Sequence, residues 1–101
     1  MAWEIQWDGY SVEYTVGEDS YEIDSLQLES RECHEEESSG YQEPKDRVMI
    51  DKYVAHTEHG VFRWQVSAVS EGFNTGADIS DVFCISEPQG CDANSPNFII
   101  T

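Results

Sequence analysis

Apolar and polar residues alternate strictly from Trp3 to Val16, and the alternation is interrupted once, at Asp8-Gly9. Side chains of a strand point to opposite faces with period two. An Asp-Gly pair between two such runs is the signature of a two-residue type I′ hairpin. The pattern predicts a hairpin over 3–16 in which Trp7 faces Tyr10, Ile5 faces Val12 and Trp3 faces Tyr14. The opposite face then sets Gln6 against Ser11 and Glu4 against Glu13. Like charges placed directly opposite each other destabilise a sheet, so the Glu4/Glu13 pair is either fully solvated or kept for a purpose.

The region 21–33 also reads as extended, with one slip. Tyr21 and Ile23 share a parity, whereas Leu26 and Leu28 take the other, and a bulge or break near Asp24-Ser25 reconciles them. Residues 34–46 carry charge, Ser, Gly and Pro without periodicity and are expected to form an exposed loop. A second hairpin is predicted over 47–70, turning at His59-Gly60. It places Phe62, Trp64, Val66 and Ala68 on one face with Tyr53 and Ala55, and sets His56 opposite Arg63 on the other. After a turn-rich stretch over 72–80, strands are expected at 81–86 and 97–101, with a loop over 87–96 between them. No segment keeps a 3.6-residue apolar period, so little helix is expected. The reading is one all-β domain over 1–101, sandwich-like or barrel-like, with five to seven antiparallel strands and the aromatic faces of both hairpins in one core.

Composition supports folding and restricts function. The 101 residues include twelve aromatics, where disordered acidic chains are poor in them. The net charge is −16, with 21 acidic residues against five Lys and Arg. Residues 1–46 hold fourteen of the acids against Arg31 and Lys45; residues 47–101 hold seven against Arg47, Lys52 and Arg63. Such self-repulsion contributes nothing to folding, and it disfavours nucleic acids and anionic membranes as direct partners. There is no membrane-spanning run and no signal-peptide pattern, so a cytoplasmic protein is expected. Three cysteines, Cys33, Cys84 and Cys91, read as reduced thiols, with a Cys84–Cys91 bridge as the alternative.

The candidate site is the acidic face itself. Glu4, Glu13, Glu22, Asp24, Glu29 and Glu32 stand on the polar positions of neighbouring strands, and the Glu35-Glu36-Glu37 run adds an acidic loop. Same-face residues of a strand recur about every 6.7 Å, roughly twice the axial spacing of about 3.4 Å per phosphate in a DNA strand. Carboxylates so spaced could occupy a basic nucleic-acid groove. Two other readings compete: a solvated face, and an acidic, lysine-poor surface adapted to high salt. The aromatic stripe Trp3, Trp7, Tyr10 and Tyr14 reads as core, with a binding platform as its alternative. Cys33-His34 and His56-x-x-His59 match no strong zinc spacing, and 92–97 lacks the carboxylate pattern of a calcium loop. There is no nucleophile elbow and no phosphate-binding glycine loop. No catalytic residue, metal or cofactor is expected.

Two resemblances follow from these residues. In size, charge and lack of catalytic motifs, the chain is similar in kind to the small acidic inhibitors that phages encode against host defences, the anti-CRISPR and DNA-mimic proteins among them. That resemblance implies a non-enzymatic inhibitor acting in the host cytoplasm on a basic nucleic-acid-binding protein such as a Cas effector. The stretch Phe62-Arg63-Trp64-Gln65-Val66-Ser67-Ala68-Val69-Ser70-Glu71-Gly72 resembles the penultimate strand of fibronectin type III domains, with Asp81 to Ser86 as the last strand. It implies instead a structural or interaction module of a phage or cell-surface assembly.

Overall fold

The computed structural model describes residues 3–36, 46–71 and 76–101, and for Glu36 its backbone only. Nine strands are formed among the described residues: β1 (Ile5–Trp7), β2 (Val12–Val16), β3 (Asp19–Ile23), β4 (Gln27–Glu36), β5 (Asp46–Thr57), β6 (Gly60–Ser70), β7 (Asp78–Ser86), β8 (Cys91–Ala93) and β9 (Phe98–Ile100). The described residues contain no helix. All pairings are antiparallel and build three sheets, ordered β4-β5-β6-β7, β3-β2-β8 and β1-β9.

The long β5–β6 hairpin is the spine. On its inward face, Tyr53 and Ala55 from β5 and Phe62, Trp64, Val66 and Ala68 from β6 are all buried, as the sequence pattern predicts, and Met49 of β5 is buried with them. The β3-β2-β8 sheet covers the turn end of this face, packing Val12, Tyr14, Ile23 and Cys91 on Ala55, Phe62 and Trp64. The β1-β9 sheet covers the middle, packing Ile5 on Met49, Tyr53, Val66 and Ala68, with Phe98 and Ile100 beside it. Two small sheets thus lie end to end on one face of a long one, in a molecule of 55 × 22 × 19 Å. The hairpin closes at Glu58-His59, because Thr57 pairs with Gly60. The Thr57 hydroxyl donates to Gly60 O at 2.7 Å and accepts the His59 amide at 3.2 Å. This corrects the expected turn at His59-Gly60 by two residues of register, so His56 faces Val61 and Arg63 faces Val54. Gly60 has a φ of +132°, and a Cβ there would lie 2.7 Å from Pro88 Cγ.

The predicted hairpin over 3–16 does not form. β1 pairs with the chain end (Ile5 with Ile100, Trp7 with Phe98), and β2 pairs with β3. Asp8 Oδ1 instead accepts the Tyr10 amide at 3.0 Å, and the Asp8 amide continues the β1–β9 ladder by donating to Asn97 O at 3.1 Å. The turn therefore carries the chain from one small sheet to the next. Parity survives the change of partner: Ile5, Val12 and Tyr14 are buried, while Tyr10, at the corner, is 75% exposed. The true hairpin joins β2 and β3 through Gly17-Glu18, with Val16 facing Asp19. Gly17 supplies the φ of +61° that this turn uses.

The region 21–33 breaks where the parity slip predicts, between Ile23 and Gln27. The exposed loop expected over 34–46 is corrected at both ends, where His34, Glu35 and Glu36 pair with Val48, Arg47 and Asp46; 37–45 lie outside the described residues. The 87–96 loop contains the short strand β8. The nine strands of the described residues exceed the expected five to seven because the 21–33 region gives two strands, β3 and β4, and because β8, only three residues long, carries no alternation of its own. Cys33, Cys84 and Cys91 are free thiols.

Candidate acidic interface

Among the described residues, positive charge from Lys and Arg is confined to one sheet. The four described Lys and Arg residues, Arg31, Arg47, Lys52 and Arg63, all lie on β4, β5 and β6. Arg31 reaches under the sheet to Asp51, which is completely buried. Its Nε donates to Oδ1 and its Nη2 to Oδ2, both at 2.8 Å, and Nη2 also donates to Ile5 O at 3.0 Å. The Tyr53 hydroxyl lies 3.2 Å from both Asp51 Oδ2 and Ile5 O. Burial, and then the negative charge of Asp51, push the Tyr53 hydroxyl up to about 12; the hydrogen bond to Asp51 raises Arg31 further above its ordinary value. A buried carboxylate is tolerated only when paired and hydrogen-bonded, and this network satisfies Asp51 while fastening β1 to β4 and β5. On the opposite face, Arg63 Nε and Nη2 hold the Glu29 carboxylate at 3.0–3.2 Å. That contact keeps Glu29 below the ordinary carboxylate range.

The three-stranded sheet has no such matching. Residues 12–23 and 91–93 contain Glu13, Glu18, Asp19, Glu22 and Asp92 and no Lys or Arg. Val12, Tyr14, Ile23 and Cys91 point inward and are buried. Alternation therefore turns Glu13, Glu22 and Asp92 outward, and all three are exposed. Glu13 sits directly opposite Glu22, and Asp92 opposite Thr15, two residues farther along β2. Directly opposed side chains have Cβ atoms about 4.5–5.5 Å apart. The sheet accepts this repulsion because its other side is tightly packed. Tyr14 stacks on Tyr21 with centroids 5.3 Å apart and tilts against Phe62 at 4.9 Å. The Tyr14 hydroxyl is hydrogen-bonded to His59 Nδ1 at 2.9 Å. Beside the carboxylates a cleft of about 340 Å³ is lined by Tyr21, Glu22, Asp24, His56 and Glu58 among others.

The structure brings together some of the anticipated acidic residues and separates others. Glu13 and Glu22 share the outer face of the three-stranded sheet, with Asp24 exposed just beyond it. Glu4 is not opposite Glu13. It exchanges backbone hydrogen bonds with Thr101 and lies 3.8 Å from Arg31 Nη1, because β1 pairs with β9. Glu29 and Glu32 belong to the other side of the molecule: Glu29 is held by Arg63, and Glu32 pairs with outward-facing Ile50. Glu35 stands opposite Arg47, and Glu36 ends β4; Glu37 lies outside the described residues. The anticipated single array is thus two separate groups, one unmatched and one partly neutralised. Asp92 and Asp51 were not anticipated. Asp92 sits in a segment too short to show a strand pattern. Asp51 had a legible signal, since it occupies a core parity between Met49 and Tyr53 and needs a cation among only five.

Among the described residues, no group of three or more His, Cys, Asp or Glu converges as metal ligands do. Cys33 and His34, being consecutive on β4, project to opposite faces, and His59 is engaged by Tyr14 and Tyr21. No helix of the described residues is long and apolar enough to cross a membrane. No family model matches the chain, and neither a curated protein nor a solved structure shows significant similarity to it.

Proposed function

We propose that this chain is a non-enzymatic inhibitor that uses its acidic face to occupy a basic nucleic-acid-binding site on a larger protein. The observation that carries the reading is the segregation of charge between sheets. One sheet holds every described Lys and Arg, and the other turns Glu13, Glu22 and Asp92 outward with no cation among its residues. A surface of one sign steers an oppositely charged partner, and carboxylates that replace phosphates take over the same counterion release. Glu13, Glu22 and Asp92 are the central phosphate surrogates in this reading, with Asp24 at the rim; Glu4, Glu29 and Glu32 are peripheral. A Cas effector or a similar defence protein has the required basic groove.

The test is competition. Binding to such a partner weakens steeply as salt rises and is displaced by duplex DNA, and the double change Glu13→Lys/Glu22→Lys abolishes it. Binding that tolerates both salt and DNA rules out mimicry. A structural module would keep its function in the double variant, and a salt-adapted protein would gain stability in molar salt without acquiring a partner.

A further inference from the structure

Tyr10 belongs to the aromatic stripe that reads as core, and the structure leaves it outside. It shares the inward parity of Val12 and Tyr14, but the β2–β3 ladder ends at the Val12–Ile23 pair, so Tyr10 lies beyond the sheet. It is 75% exposed, against 46% for Ile99, the next large apolar side chain among the described residues. The backbone that carries the ring is tied down on each side. Asp8 Oδ1 accepts the Tyr10 amide at 3.0 Å, the Asp8 amide donates to Asn97 O at 3.1 Å, and the Asn94 amide donates to Glu13 O at 3.0 Å. These two segments line a cleft of about 280 Å³, with Asp8, Tyr10, Ser11 and Glu13 from the first and residues 94–97 from the second. Asp8 and Glu13 are the only charged residues of its lining.

An aromatic ring alone accepts any apolar group, and a carboxylate alone accepts any cation. Together they select a cation that can stack. The face of the ring carries the negative part of its quadrupole. The arginine guanidinium is planar and weakly hydrated, and it lies on such a face while its N–H groups reach a carboxylate. We propose that Tyr10 and Glu13 receive an arginine side chain of the basic partner, its guanidinium stacked on the Tyr10 ring and donating to the Glu13 carboxylate. A tyrosine on a fixed backbone has two χ angles to order on binding, so little entropy opposes the contact. The proposal rests on the inhibitor reading for its partner and deepens it. Carboxylates stand in for phosphates, and Tyr10 stands in for an unstacked base, which in nucleic-acid complexes stacks on arginine planes.

The probes are two peptides of equal length, one alternating arginine with serine and the other lysine with serine. Each is titrated into the full chain at low ionic strength, with amide shifts followed by NMR. The arginine peptide is expected to shift the amides of the 8–13 and 94–97 segments and to bind about threefold more tightly than the lysine peptide. Tyr10→Ala, at an exposed position, is expected to melt with the wild type and to lose that preference. Tyr10→Phe keeps the ring and is expected to retain it, while Glu13→Gln weakens both peptides. The proposal is overturned if the arginine peptide does not bind, if both peptides bind the wild type equally, or if the shifts miss 8–13 and 94–97. It is also overturned if the preference survives Tyr10→Ala, if Tyr10→Phe abolishes it, or if Glu13→Gln changes neither affinity. Loss of the preference alone leaves the inhibitor reading standing, because charge carries the competition with duplex DNA. An arginine preference without DNA-sensitive retention of a basic protein leaves the cleft standing and sinks that reading.

Discussion

The four-stranded and three-stranded sheets both carry carboxylates, and they use them in opposite ways. On the four-stranded sheet, Asp51 and Glu29 each meet an arginine in two-pronged geometry, one inside the core and one outside. On the three-stranded sheet Glu13 meets Glu22. In the first case charge joins elements, since Arg31 and Tyr53 reach Ile5 O from two strands. In the second it opposes the pairing on which it stands, and the aromatic packing beneath must offset it. An acid that strengthens the fold explains itself structurally. One that weakens it, on a face with no cation, points to a role outside the fold.

The largest effect that can break this comparison is at Asp51. Asp51→Ala leaves the Arg31 guanidinium and the Tyr53 hydroxyl without their buried acceptor, a loss of about 3–5 kcal/mol, measured by urea unfolding. A loss under about 1 kcal/mol would mean that the pair behaves as a surface ion pair and holds nothing together. Next is Gly60→Ala, which meets Pro88 and strains a φ of +132°. The expected loss is about 1–3 kcal/mol, with β5–β6 turn amides exchanging faster.

Alkaline pH probes the same network without mutation. Tyr53 keeps its proton in the folded state up to about 12, whereas an unfolded tyrosine releases it near 10. Between these values the folded chain binds the proton more tightly, so stability is complete below about pH 10 and falls as pH rises towards 12. Unfolding free energy measured across this range should show the decline, and Tyr53→Phe should flatten it. The smallest effect is on the other sheet. Glu13→Gln removes a like-charge pair and should stabilise the protein by up to about 1 kcal/mol at low ionic strength, with the gain shrinking in high salt. A destabilised Glu13→Gln would show that the face is built for stability after all.

Much of the fold was legible because the alternation of side chains survives changes of partner. Phe62, Trp64, Val66 and Ala68, with Tyr53 and Ala55, fall on the core face as their period-two spacing requires, and the break after Ile23 follows from the parity slip. Strand partners were less legible. Asp8-Gly9 specifies a local turn but not which strand comes next, and Gly17-Glu18 competes for β2 with a hairpin that also uses alternating neighbours. The pairing of β1 with β9 joins the two ends of the chain and leaves no local mark. The carboxylate face shows the same division: Glu13 and Glu22 were recognisable as outward residues, but their opposition depends on the β2–β3 register. Asp92 joins them only through β8, and Glu29 leaves the group because Arg63, thirty-four residues away, holds it.

The central claim is that the face of Glu13, Glu22 and Asp92 is recognised as nucleic acid is. Its most direct test is retention of a basic DNA-binding protein on the immobilised chain at low ionic strength, compared between the wild type and Glu13→Lys/Glu22→Lys. The wild type is expected to retain such a protein, duplex DNA to release it, and the variant, folded to the same melting temperature or higher, to retain none. Retention that survives excess duplex DNA, or that is equal in the variant, contradicts the account.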